Sequence, residues 1–126
     1  MKKIINTTNA PQAIGPYSQA ISIQNLLFIS GQIPMNPATG EIVSGGVVEE
    51  THQVMKNLKA ILEEAGSSFS NAVKTSIFLK NMDDFALVNE IYASYFEEGN
   101  YPARETVQVS KLPKDVNVEI SMIAYI

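Results

Sequence analysis

The chain has 126 residues, 45% of them hydrophobic and 17% charged, which fits one globular domain (1–126) with a single core and leaves no room for a second. It has no cysteine, so disulfides, thiolate metal sites and cysteine nucleophiles are excluded, and stability has to come from packing and assembly. Nine basic against thirteen acidic residues give a net charge of −4 with the basic residues scattered, which leaves no electrostatic footprint for nucleic acid.

The N-terminal MKKIINTTNA lacks an apolar run of signal-peptide length, and no later stretch approaches the ~20 apolar residues of a membrane helix. A cytoplasmic protein with no membrane partner is expected. Two β-prone runs, 17–23 and 26–32, are separated by Gln24 and Asn25 and predict a hairpin. The stretch 34–46 gathers prolines, glycines and Asn36 and predicts a surface loop. Val48, Thr51, Met55, Leu58, Leu62 and Ala65 recur at steps of three and four, with Gly66 at the place of a left-handed cap, so an amphipathic helix follows the loop.

The run 73–79 (VKTSIFL) predicts a strand. Residues 81–84 then offer capping side chains to a second helix carrying Phe85, Val88, Ile91, Tyr92 and Tyr95. Two further strands, 105–109 and 118–124, are separated by the connection SKLPKDVN. The order is hairpin, helix, strand, helix, strand, strand. It predicts an α+β fold in which both helices are crossovers lying on one face of a mixed sheet. Strand residues are apolar on both parities, as Ile77 and Leu79 against Phe78 show, so the other sheet face needs a cover, and a partner subunit is the natural one.

Chemistry-bearing residues are few. Arg104 lies at a strand edge after a proline, and Glu119 is embedded between Val118 and Ile120. A charge in a strand is either solvated, held in a structural ion pair, or functional, because an unpaired buried carboxylate costs several kcal/mol. His52, the single histidine, reads as a solvated residue of the first helix. With no second histidine and no cysteine, no metal site is expected; Asp83-Asp84 and Glu63-Glu64 read as helix-end and helix-surface charges. Gly45-Gly46 lacks the lysine and spacing of a phosphate loop, and Ser30 has no histidine placed to activate it.

Five segments taken together, NAPQAIGPYSQA, FISGQIP, NLKAILEEAG, VNEIYASYF and PARETVQVSKLPKDVNVEI, resemble the RidA/YjgF reactive-intermediate deaminase family along essentially the whole chain. The resemblance implies a chorismate-mutase-like (YjgF-like) fold, a homotrimer with clefts between neighbouring subunits, and a last strand lying between the hairpin and the strand 73–79. It further implies hydrolysis of 2-imino acids, 2-iminobutanoate and 2-iminopropanoate, to 2-oxo acids and ammonia, with no cofactor.

By the same resemblance Arg104 binds the substrate carboxylate and Glu119 holds or activates the attacking water. Tyr17 and Asn89 line the cleft, Ser30 and Gly31 end a strand where a ligand approaches the backbone, and Thr106 stands where some members carry cysteine. Glu105 departs from the small or apolar residue usual after the signature arginine. A simple hairpin centred on Pro113 would leave Arg104 roughly 13 Å out of register with Glu119, so the two are expected to meet through the fold or across a subunit boundary. Two other readings share these residues. One is a non-catalytic module that binds small carboxylates such as 2-oxo acids; the other is a regulatory or RNA-cleaving protein, which the acidic charge disfavours.

Overall fold

A computed structural model describes all residues, 1–126. Strands β1 (Lys3–Ile5), β2 (Ala20–Ile23) and β3 (Leu26–Gln32) are followed by helix α1 (Val47–Glu64) and strand β4 (Ala72–Leu79). Helix α2 (Phe85–Ala93) and strands β5 (Ala103–Gln108) and β6 (Val118–Tyr125) complete the chain. The six strands form one sheet in the order β1-β2-β3-β6-β4-β5. Only β4 and β5 pair in parallel; every other pair is antiparallel. The last strand thus lies inside the sheet, between β3 and β4, as expected.

Alternation sorts the sheet into two faces. Val118, Ile120, Met122 and Ala124 of β6 are buried together with Ile77 and Leu79 of β4 and Leu27 and Ile29 of β3. Both helices cover this face. The α1 side chains Val54, Met55, Leu58, Ile61 and Leu62 are almost wholly buried in the core, and Val88 and Tyr92 join them from α2. Truncating one of these leucines to alanine is expected to cost about 2–5 kcal/mol.

The buried stripe of α1 starts at Glu50 and Thr51, and Val48 lies outside it, exposed. Gly66, at φ 78°, closes the helix: its N–H donates to the Glu63 carbonyl at 3.0 Å and that of Ser67 to the Leu62 carbonyl at 2.8 Å. This is the paired cap that a left-handed residue after the last turn allows.

Several boundaries differ from the expectation. The strand β1 is too short to announce itself by alternation. The run 17–23 becomes a strand only from Ala20, because the Gln19 side chain turns back to hold the N-terminal segment, bonding the backbone of Thr7, Ala10 and Pro11. The strand expected at 105–109 begins at Ala103 and so includes Arg104. The second helix ends at Ala93, leaving Tyr95 in the turn after it.

The other sheet face carries a row of aligned apolar residues, Ile4, Ile21, Phe28 and Ile123, one per strand from β1 to β6. Ile4 is 63% and Phe28 41% exposed, and Ile23, Leu26 and Tyr125 beside them are open as well. Within one subunit nothing covers this face.

Candidate functional site

Each candidate residue takes its direction from strand register. Arg104 pairs with Thr75 and therefore shares the helix-covered face; Glu119 pairs with Phe78 and points to the open face. Along β4 their register partners are three residues apart, and β4 itself separates β5 from β6, which puts their Cα atoms roughly 14 Å apart. The fold therefore does not bring Arg104 and Glu119 together within one subunit, and the candidates divide into two groups.

The first group surrounds Arg104. Its Nη1 donates to Asn89 Oδ1 at 2.6 Å, and its guanidinium lies 5.1 Å from the Tyr92 ring centroid and 5.7 Å from that of Phe85. Stacking and the asparagine hold the plane of the fork without neutralising it. Arg104 belongs to none of the ion pairs. Next to it Tyr92 donates to or accepts from Thr75 Oγ1 at 2.7 Å, and burial pushes its phenol upward, with the Thr75 bond and the Arg104 charge pulling the other way. A cavity of about 480 Å³ opens here, lined by Asn89, Tyr92, Ala93, Tyr101, Pro102 and Arg104. Thr106 is on the same face of β5, and its hydroxyl is buried without any hydrogen-bond partner. An orphaned buried hydroxyl is uncommon and marks a bond left for another group to make.

The second group surrounds Glu119. Its carboxyl is half-buried, and desolvation raises its pKa above the usual carboxylate range. It lies directly over Gly31: a Cβ added there would come within 2.4 Å of Glu119 Oε2 and 2.8 Å of Cδ. Gly31 is the penultimate residue of its strand and lines the cleft. There the pairing of β3 with β6 shifts register between Ile29 and Gln32, and the space over Gly31 belongs to the glutamate. Ser30 spends its hydroxyl on the Ser18 carbonyl at 2.6 Å. Tyr17, Ser30, Gly31 and Glu119 line one shallow cleft with Ile14, Ile33 and Pro113.

The turn at Pro113 is strained. Lys114 and Asp115 take φ of 54° and 55°, left-handed values that cost a side-chain-bearing residue roughly 1–2 kcal/mol each. The buried Leu112 and Val116 anchor its two ends.

His52 is not the solvated residue expected: its Nδ1 and the Tyr95 hydroxyl are 2.8 Å apart and the ring is half-buried. Glu105 bonds Ser76 and pairs with Lys74 at 3.0 Å on the open face, and these contacts, Ser76 first, hold its carboxyl below the ordinary range. It thus faces away from Arg104, its neighbour in sequence. No group of three or more histidine, aspartate or glutamate side chains is placed to hold a metal ion. The sequence reading missed Tyr92, Tyr101 and Phe85; the helical spacing of Phe85 and Tyr92 marked both as core, and their second use as a platform for Arg104 has no signal of its own.

A six-stranded mixed sheet with two helices on one face, and clefts on both of its sides, defines an α+β fold of the YjgF-like class. The chain belongs to the YjgF/RidA family, described as Endoribonuclease L-PSP, which residues 7–126 match. It is 52% identical to the 2-iminobutanoate/2-iminopropanoate deaminase of Mus musculus over 98% of this chain and 91% of that one. A crystal structure of a Rid-family protein of unknown function, YyfA from Yersinia pestis, superposes with a TM-score of 0.97 at 50% identity, covering 100% of both chains. Another, of E. coli TdcF with bound serine, gives a TM-score of 0.93 at 44% identity over 98% of each chain. No helix here is long and apolar enough to cross a membrane.

Proposed function

We propose that the protein is a hydrolytic deaminase that converts 2-imino acids, 2-iminobutanoate and 2-iminopropanoate among them, to 2-oxo acids and ammonia, in clefts completed between the subunits of a homotrimer. The observation that carries this reading is Arg104: a stacked, hydrogen-bonded guanidinium with no carboxylate of its own, lining an open cavity. A planar fork with free donors suits a small carboxylate, which it can hold by two parallel bonds. The deaminase name of the mouse relative and the serine bound to TdcF agree with such a ligand.

The chemistry asks little beyond position. A protonated imine is electrophilic; water adds to its carbon, the C–N bond of the resulting carbinolamine breaks, and ammonia leaves as the 2-oxo acid forms. Glu119, with its affinity for protons raised by burial, suits the transfer of a proton from the attacking water toward the departing nitrogen. Tyr17 and Ser30 would border the water side of the cleft, and Asn89 would keep Arg104 in place. No cofactor enters any step.

Because Arg104 and Glu119 leave one subunit on opposite sheet faces, a shared site needs two copies. The apolar row from Ile4 to Ile123 supplies the surface for that assembly, in the chorismate-mutase-like arrangement. The net charge of −4 gives an RNA backbone no basic surface to bind.

The test couples an imine-generating threonine dehydratase or amino acid oxidase to this protein and follows release of the 2-oxo acid. Acceleration over the uncatalysed control is expected. Binding of a 2-oxo acid without acceleration would instead favour a carboxylate-sensing module.

A further inference from the structure

Glu50 is the one acidic or basic residue among the buried residues, and it takes part in no ion pair. It stands in the first turn of α1, where the free N–H groups of the helix favour negative charge. Both of its oxygens are directed to one residue: Oε1 accepts the Asn117 backbone N–H at 2.8 Å and Oε2 the Asn117 side-chain amide at 2.5 Å. On its other side the Asn117 carbonyl accepts the Lys80 N–H at 3.0 Å. Asn117 is thus fixed between a helix and the end of β4. It closes the turn containing Pro113, Lys114 and Asp115 and stands two residues before Glu119.

That turn borders the open-face cleft. Pro113 and Lys114 line a cavity of about 280 Å³ with Tyr17 and Gly31. Two successive left-handed residues without glycine persist only where their surroundings fix them. The Lys80–Asp115 pair, at 3.2 Å, is exposed on both sides and holds little by itself. The buried carboxylate is the stronger hold.

We propose that Glu50 is a positioning residue for the cleft, acting through Asn117 to fix the Pro113–Lys114 wall and the direction of Glu119. The consequence for turnover rests on the deaminase reading above; the consequence for the turn does not. Glu50→Ala removes both bonds. Glu50→Gln can keep them, accepting the Asn117 N–H and, after the Asn117 amide turns over, donating to its oxygen.

The experiment measures amide hydrogen exchange at residues 114–117 together with steady-state hydrolysis of 2-iminobutanoate, for the full-length protein and both variants. Glu50→Ala is expected to speed exchange in the turn and to lower kcat roughly 10-fold to 100-fold, the scale of an ångström-sized displacement. KM should change little, because in the proposed assembly the Arg104 that holds the carboxylate in this cleft comes from the neighbouring subunit and makes no contact with Glu50 or Asn117 of its own chain. Glu50→Gln should restore both. Unchanged exchange in Glu50→Ala overturns the clamp whatever the activity. Faster exchange with wild-type kcat overturns its role in positioning, as would Glu50→Gln being impaired as much as Glu50→Ala. Should the wild type itself show no hydrolysis, the deaminase reading fails alone, and the exchange arm together with pyruvate binding decides on the clamp.

Discussion

Substituting Gly31 by alanine tests the position of Glu119 without touching its chemistry. The new methyl would come within 2.4 Å of Oε2, 2.8 Å of Cδ and 3.2 Å of Cγ of Glu119. Ordinary carbon contacts begin near 3.5 Å, so the carboxyl has to withdraw by about 1 Å. Since Glu119 is half-buried and makes no ion pair, a change of rotamer can accommodate this, and the fold should survive. A displacement of that size costs about 10²-fold in rate when it falls on a reacting group. Glu119→Gln, which removes proton transfer altogether, should cost ~10² to 10⁴-fold. The double variant decides between mechanisms. If Gly31→Ala acts through the carboxyl, it adds little to Glu119→Gln, because the function it displaces is already gone. Coupled-assay kcat values for the four proteins form the cycle. A double variant slower than Glu119→Gln by the full factor of Gly31→Ala would show that Gly31 acts independently, and near-normal rates in Gly31→Ala would refute the placement of Glu119 in the reaction.

Arg104→Lys keeps the charge but loses the fork and the stacking on Tyr92, so KM for imino acids should rise and kcat/KM fall sharply while the melting temperature stays close to wild type; unchanged kinetics would return Arg104 to the role of a surface cation. Burial raises the folded-state pKa of Glu119, so the folded protein holds this proton more tightly than the unfolded chain, and the associated stability is lost as pH climbs from the ordinary glutamate range toward the raised value. Glu119→Gln should therefore gain melting temperature relative to wild type as pH rises through that window and match it in more acid solution; a relative loss on raising pH would contradict the desolvation argument. Phe28→Glu places a charge in the middle of the apolar row; wild type is expected to sediment as the proposed trimer and the variant as an inactive monomer, and an intact active trimer in the variant would mean that this face is not the one covered.

The sequence reading went furthest where one physical pattern acts alone. The helix α1 follows from its apolar spacing and the glycine after it, and β4 and β6 from dense β-branched runs. It fell short where side chains do unadvertised work. Gln19 delays the start of the predicted strand to Ala20 because its amide is used to tie down the N-terminal segment, and nothing in a lone glutamine signals that. His52 was expected in water because its neighbours are polar, yet Tyr95, more than forty residues later, brings a hydroxyl to it. The candidate site was legible as a set of residues through family likeness, but not as a geometry. Opposite orientation of Arg104 and Glu119 depends on the parity of two strands that do not touch, which only the register of the intervening β4 fixes.

That opposite orientation has a genetic consequence. In the homotrimer proposed above, each chain would offer its arginine to one neighbour and its glutamate to the other, so an Arg104 mutant and a Glu119 mutant would be damaged at different ends of the same exchange. In a closed ring mixed from the two inactive chains, one cleft receives an intact arginine from one parent and an intact glutamate from the other. Two alleles that are each null alone would complement when expressed together.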